Sequence, residues 1–484
     1  MTYLGLVLLA LFLRLPLLAN PESLNSDHAV SALQSLHMLR GEFSWFLWGI
    51  GYQASLEPLI NAVFFLIVGK NSYAVLATAF LAYALSLGAI HSILRKRLSR
   101  EQTVLALAFL VIAAPPFLTN AFYPPRPWCL TFVFYSLLAF DRGRLIWGGA
   151  LAFLALYIDF FAVQFLPALL AFGAFQVWVS HSRKQSGRDF TLGIVLGTFL
   201  LGLTRCLGPQ GGPPLAINFH YLANNLRLLA TGILPALFGV PTLSSEFEAI
   251  YPPWFRHPLL LFIRAVGGLT PIVLIFYSLK DWKKWNWDLR GWVAFALLLS
   301  ATSLLGSILS SSLSDFHANR YLLPLVWALP FALLPTIKAF PLKKGLAIFT
   351  PYFLVLLLTL QLSYREGVRS LFIPTPTSFG TGAKEKELAR FLLSQEIRHG
   401  YATYWPSYRI TYLLRENLLV VPVDLKSNRY RPYWDEVEKA KRYALIFTES
   451  EGDYLRDNEA NLKSEHKSYR PFRVAGFNGF LVER

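Results

Sequence analysis

The feature that most constrains this chain is an alternation of long apolar runs with short segments in which basic residues gather. The runs fall near residues 3–19, 73–94, 102–119, 128–140, 145–158, 162–179, 190–205, 258–279, 291–312, 321–337 and 345–363. Most approach the ~20 residues a helix needs to cross a hydrocarbon layer. Charged residues make up only 15% of the chain, against roughly a quarter in a soluble domain. The expected fold class is therefore an α-helical polytopic membrane protein with about eleven transmembrane helices. The first run, Tyr3 to Ala19, has neither a basic start nor a small-x-small cleavage site, so it reads as a retained helix and not a signal peptide.

A net charge of +16 raises nucleic acid as a partner, but the cations follow alternate spans and form no single patch. Arg95, Lys96, Arg97 and Arg100 follow the second run, Arg142 and Arg144 the fourth, Arg183, Lys184 and Arg188 the sixth, Lys280, Lys283, Lys284 and Arg290 the eighth, and Lys338, Lys343 and Lys344 the tenth. The positive-inside rule makes these the cytoplasmic loops. The N-terminus is then cytoplasmic and the C-terminal tail extra-cytoplasmic. Cys129 and Cys206 fall at outer span ends and read as free thiols at lipid level.

The expected organisation is a transmembrane domain over 1–363, with outer loops 20–72 and 207–257, followed by an extra-cytoplasmic α/β domain over 364–484. In the first loop, Asn25 or Ser26 caps a helix whose apolar positions Ala29, Ala32, Leu33, Leu36 and Leu39 lie on one face, and Gly41 ends it. Ser55 to Val68 is apolar but short, and reads as a juxtamembrane helix. In the second loop, breakers from Pro209 to Pro214 precede an apolar surface helix over Asn218–Phe238, followed by Glu246, Glu248, Tyr251 and Trp254. The tail reads as helix over 383–399, strand over 401–404, strand over 418–421, helix over 434–441 and strand over 443–448. No internal repeat is present.

Of the carboxylates in the first outer loop, Asp27 and Glu57 are the candidates for chemistry. Asp27 lies in the first turn of the predicted helix, where an acid also serves to satisfy the helix dipole. Glu57 lies in the apolar run Ser-Leu-Glu-Pro-Leu, where an unpaired carboxylate is costly to bury.

The stretch Asp27 through Gly41, then Gly49-Ile-Gly-Tyr-Gln-Ala-Ser-Leu-Glu57-Pro-Leu and Phe-Phe-Leu-Ile-Val-Gly69, resembles the opening of bacterial membrane glycosyltransferases related to protein O-mannosyltransferases and lipid A aminoarabinose transferases, which share the GT-C fold. Asn319-Arg320-Tyr321-Leu-Leu-Pro324 resembles the family's Arg-Tyr-x-x-Pro at the outer start of a late span. Tyr401-Ala-Thr-Tyr-Trp405-Pro-Ser-Tyr-Arg409 resembles a run in relatives' outer domains. The resemblance implies transfer of a hexosyl or pentosyl unit from a polyprenyl-phosphate donor to a hydroxyl of a glycan, lipid or protein on the outer face. It makes Asp27 the essential acid and aligns Glu57 with a Gly-Ser-Leu-Glu pattern, here with Ala54 in the glycine's place. Some relatives carry a second acid in the next outer loop. Asn120 to Trp128 has none, which leaves the divalent cation open.

Arg320 is the expected donor-phosphate ligand, with His317, because a guanidinium presents a planar fork of donors; the alternative is an arginine snorkelling to headgroups. Arg126, fixed among Pro124, Pro125 and Pro127, is a second candidate, and His28 a third contact for sugar or phosphate. Asp159 reads as a structural cap and Asp315 as a partner orienting Arg320. No Walker loop, dinucleotide fingerprint or nucleophile elbow occurs. The alternatives are a transporter or flippase of a lipid-linked sugar, and an O-antigen ligase or polymerase.

Overall fold

The computed structural model describes residues 3–18, 22, 24–114, 117, 126–207, 216–243, 253–313, 316–365 and 382–484. Asn120 to Pro125, the stretch holding Glu246, Glu248 and Tyr251, and Asp315 lie outside the described residues, as does the side chain of His317.

Helix occupies each apolar run. Among the described residues six helices are long and apolar enough to cross a membrane: Ser72–Arg95, Arg183–Thr204, Pro258–Leu279, Trp287–Ile308, Ala318–Ala339 and Leu342–Leu360. The apolar helices Tyr3–Leu15, Leu56–Val68, Leu145–Ile158 and Leu166–Val179 are shorter. The run expected over 102–119 is helical over Arg100–Val111, opened by a capping box in which Ser99 Oγ accepts from Gln102 N at 3.2 Å and Gln102 Oε1 from Ser99 N at 3.1 Å.

The chain divides into two compact units, residues 1–16 with 79–374, and 17–78 with 375–484. In the first, helices pack through small residues, as helices in lipid do where no hydrophobic force draws them together. A Cβ on Gly193 would lie 2.5 Å from Ile146 O, so the helices Arg183–Leu207 and Leu145–Ile158 cross backbone to backbone. Buried rings fill the interior, among them Trp292 stacked on Phe331 with centroids 5.1 Å apart. Where basic loops meet helix ends, Arg97 binds Asp288 through Nε and Nη2 at 2.7 Å and Asp141 at 2.5 Å. Asp159 caps a 3-10 turn by accepting from Phe161 N at 3.0 Å, the structural role expected of it. The predicted surface helix over 218–238 is a series of short pieces from Phe219 to Leu237, including a π turn at Leu229–Ile233. Cys129 is buried, Cys206 exposed, and both are free.

The second unit carries one five-stranded sheet in the order β2-β1-β3-β5-β4. Strands β1 (His399–Ala402), β2 (Leu419–Pro422) and β3 (Arg442–Thr448) pair in parallel, while β5 (Phe477–Glu483) runs antiparallel to β3 and to β4 (Ser468–Val474). The predicted strand at 401–404 begins earlier, at His399, and Tyr404 instead opens a helix to Leu413. The cause is local: Tyr404 to Leu413 places Pro406, Tyr408, Ile410 and Tyr412 on buried positions, with Pro406 in the first turn where its missing N-H costs nothing. The predicted helix over 383–399 stops at Ser394, and that over 434–441 runs from Arg431 to Lys439.

The helix Ser26–Met38 belongs to this unit's core. Leu24, Val30, Leu33, Leu36 and Trp48 pack with Tyr408, Tyr412, Val421, Tyr433 and Val437 in one buried cluster. Arg409 anchors it, donating from Nη1 to Leu24 O at 2.7 Å and from Nε to Glu385 at 2.8 Å, with both side chains buried.

Candidate functional site

Segments far apart in sequence meet around Asp27 within the second unit. Asn25 performs the capping: its Oδ1 accepts from His28 N at 3.1 Å and lies 2.8 Å from His28 Nδ1. Ser26 donates to the carbonyls of Tyr404 at 2.8 Å and Trp405 at 2.7 Å, fixing the helix start against the Tyr404 helix. Every residue from Leu24 to His37 is buried except Asp27, whose side chain is 19% exposed. A carboxylate that only balanced a helix dipole would need no such opening.

The Tyr404 hydroxyl donates to Asp27 Oδ1. Arg429 Nη2 lies 4.0 Å from the same oxygen, Arg429 Nε donates to the Tyr404 hydroxyl at 3.2 Å, and the guanidinium lies 5.1 Å from the Tyr404 ring centroid. Burial works against the charge of Arg429, but the facing Tyr404 and Asp27 outweigh it and hold its pKa above the ordinary value. Asp27 is thus oriented by the Tyr404 hydroxyl and faced by the permanent cation of Arg429.

Arg429 owes its position to two supports. The Tyr408 hydroxyl accepts from Arg429 N at 2.6 Å while donating to Asn428 Oδ1 at 2.8 Å. On the other side Gly49, at φ +66, approaches so closely that a Cβ there would lie 2.7 Å from Arg429 Cα. The turn carrying Gly49 is tied down by Gln34, which donates to Phe46 O at 3.0 Å and Ser55 Oγ at 2.7 Å and accepts from Trp48 N at 3.0 Å. Glycine at position 49 therefore answers both the left-handed backbone and the contact.

The other expected residues divide between the units. Glu57 opens the helix Leu56–Val68 and is closed to solvent at 1% exposure, unlike Asp27. His28 is buried and engaged with its own helix cap. In the first unit, Arg126 and Arg320 converge on one ring: their guanidinium carbons lie 5.4 Å and 5.1 Å from the Tyr321 centroid, and Arg320 Nη2 donates to the Tyr321 hydroxyl at 3.4 Å. Arg126 also lies 5.1 Å from the centroid of Phe161. Two guanidinium groups beside one phenol form a cationic, hydrogen-bonding patch suited to phosphate. Among the described residues no group of three or more His, Cys, Asp or Glu is placed to hold a metal ion.

Sequence reasoning missed Arg429 altogether, and placed Tyr404 at the end of a predicted strand and within the run that resembles relatives' outer domains. Asn428-Arg429-Tyr430 matches no motif. The available signal was indirect: the Tyr404-to-Arg409 run had to pack against something, and its partner is the Asp27 helix.

No protein-family model matches the sequence, and no curated protein sequence does. Among solved structures, the chain is similar to ArnT from Cupriavidus metallidurans bound to undecaprenyl phosphate, with a TM-score of 0.59, 10% identity, and coverage of 99% of this chain and 98% of that one. The apo state of ArnT gives a TM-score of 0.56 at 10% identity over 94% and 93%. ArnT is a lipid A aminoarabinose transferase of the GT-C fold. At this identity the likeness is one of fold: the chain has the fold of a GT-C multi-pass membrane glycosyltransferase.

Proposed function

We propose that the chain transfers a sugar from a polyprenyl-phosphate donor to an acceptor hydroxyl, with Asp27 as the group that receives the acceptor's proton. The observation that carries this reading is the exposure of one carboxylate on an otherwise buried helix, held by Tyr404 and faced by Arg429. The ArnT likeness supports the reaction class, and the undecaprenyl phosphate bound to ArnT supports the donor class.

The step is a single displacement. The acceptor oxygen forms a bond to the anomeric carbon, the bond from that carbon to the phosphate oxygen breaks, the phosphate leaves with the electron pair, and the acceptor proton passes to Asp27. A carboxylate is a weak base, yet it suffices because the attacking hydroxyl becomes acidic as its new bond forms. Base catalysis of this kind supplies a factor of about 10² to 10⁴. Fixing the carboxylate through Tyr404 contributes by orientation. Arg126 and Arg320 are the residues proposed to bind the donor phosphate and stabilise its charge as it leaves. In this reading the chemistry takes place on the extra-cytoplasmic face, with about eleven spans and the sheet-bearing unit outside, which the placing of the basic loops supports.

The test is reconstitution of the full-length protein in vesicles with a labelled polyprenyl-phosphate sugar. Release of polyprenyl phosphate that depends on acceptor is expected, and Asp27→Asn should lower it at least about a hundredfold while donor binding persists. Lipid moved across the vesicle without being consumed would make the protein a transporter, and a fully active variant would remove Asp27 from the mechanism.

A further inference from the structure

A second cavity lies in the sheet-bearing unit, and none of the groups around Asp27 lines it. It has a volume of about 500 Å³ and is walled by Arg40, Lys70, Lys386 and Arg415, with Glu22 and Tyr412 among its other residues. The charges in it do not balance. Lys386 is paired with Glu22 at 2.6 Å, and Arg40 is bound by Glu416. Lys70 and Arg415 have no carboxylate at ion-pair distance among the described residues, so two cations face one polar space unmatched.

The backbone holds one of them there at a cost. Arg415 and Glu416 both take left-handed conformations, at φ 51 and φ 64, where side chains other than those of glycine and asparagine are rare. The turn closes through Glu416 N donating to Thr411 O at 2.9 Å and Arg415 N to Tyr412 O at 3.0 Å. It sends Glu416 to His37 and Arg40, and leaves Arg415 on the cavity wall. These two bonds are those that close a helix end, so Arg415 is held as the residue just past the helix Tyr404–Leu413.

Lys70 indicates where the ligand comes from. It follows Gly69, which ends a helix whose last turns expose Leu66 at 73% and Ile67 at 75%, and it precedes Ser72, the first residue of a membrane-length helix. A cation placed between an exposed apolar helix and a span stands at headgroup depth.

We infer that this cavity binds the phosphate of an anionic lipid headgroup, with Lys70 and Arg415 as its ligands. A zwitterionic headgroup would bring its own cation into a space with surplus positive charge and is disfavoured. The inference does not depend on glycosyl transfer, and its test reads binding alone.

Native mass spectrometry of the purified full-length protein in uncharged detergent, titrated with short-chain phosphatidylglycerol, phosphatidylcholine or inorganic phosphate, checks it. Phosphatidylglycerol is expected to be retained over phosphatidylcholine. Lys70→Gln with Arg415→Asn should weaken that retention by about tenfold or more, ~1.4 kcal/mol. Asparagine tolerates the left-handed backbone, so this variant removes charge without adding strain. Removing two exposed lysines of the same unit, Lys426→Gln with Lys439→Gln, should leave retention unchanged. Should the first variant fold poorly, the wild type alone decides: phosphatidylglycerol should raise its thermal midpoint and inorganic phosphate should compete. Equal retention by the two double variants, no preference between the lipids, or protection by inorganic phosphate but not by phosphatidylglycerol would each overturn the assignment.

Discussion

At the scale of the residue, the site turns on what touches Asp27. The sequence made this carboxylate a candidate but left it competing with an ordinary first-turn acid. Asn25 resolves that competition by taking the capping hydrogen bond, so Asp27 is held by groups from elsewhere in the chain. If Tyr404 orients the carboxylate and Arg429 supplies the facing charge, their removal should differ in degree from loss of the carboxylate itself. Tyr404→Phe is expected to lower the turnover number about 10- to 150-fold with little change in donor affinity, because a hydrogen bond to a charged group is worth about 1.5–3 kcal/mol. Arg429→Met should cost more, since it leaves the Asp27 and Tyr404 pair without its cation. The check is steady-state kinetics of both variants beside Asp27→Asn, and equal loss in all three would show a collapsed site. Arg429 was illegible beforehand because a lone arginine in a loop has no pattern; only its three-dimensional neighbours mark it.

At the scale of the element, the legible features were those set by periodicity. The runs at 145–158 and 258–279 are helices with those bounds, since unbroken apolar stretches flanked by basic residues allow little else. The helix Ser26–Met38 was likewise readable from its cap and apolar spacing. What periodicity could not show was its burial on every side, because Ser31, Gln34 and Ser35 read as a polar face and are all buried. Their hydrogen bonds explain it: Ser35 donates to Ser31 O at 2.7 Å, and Asn61 to Ser31 Oγ at 3.1 Å, while Gln34 holds the Gly49 turn. Tyr404 was read as the end of a strand because aromatic residues favour strands, and the helix it opens was not anticipated; its aromatic residues fill a core against the Ser26 helix. Gly49 gives this level its prediction. Gly49→Ala must accept both a positive φ and a Cβ 2.7 Å from Arg429 Cα. It should destabilise the unit by about 1–3 kcal/mol and lower transfer in the same direction as Arg429→Met. Thermal unfolding with a transfer assay checks it, and an unaffected Gly49→Ala protein would mean that the turn does not position Arg429.

At the scale of the whole molecule, the sheet-bearing unit is assembled from two stretches of chain some three hundred residues apart, 17–78 and 375–484. An ionic cluster centred on the buried His37 joins them. His37 contacts Glu42 through Nδ1 and Glu416 through Nε2, each at 2.7 Å, and lies 2.9 Å from the Tyr433 hydroxyl; Arg40 also binds Glu416. Burial disfavours the charge on His37, but its hydrogen bonds to the Glu416 and Glu42 carboxylates outweigh it and raise its pKa above 6.5. Burial likewise disfavours the charge on Glu416, yet His37, Arg40 and Tyr433 bring its pKa down to about 2 from 4.5. The two shifts are one pairing seen from either side, so they do not add. The signs set a window. The His37 contribution is complete below 6.5 and is lost as pH rises through its folded pKa, while that of Glu416 is complete above 4.5 and is lost as pH falls towards about 2. The thermal midpoint of the full-length protein in detergent should therefore be highest between about pH 4.5 and 6.5 and decline on both sides. His37→Gln keeps a hydrogen bond but cannot titrate, so it should flatten the alkaline decline and lower the midpoint within the window, by about 1–3 kcal/mol of stability. An alkaline decline of the same slope in His37→Gln and wild type would show that other groups govern the stability of this unit.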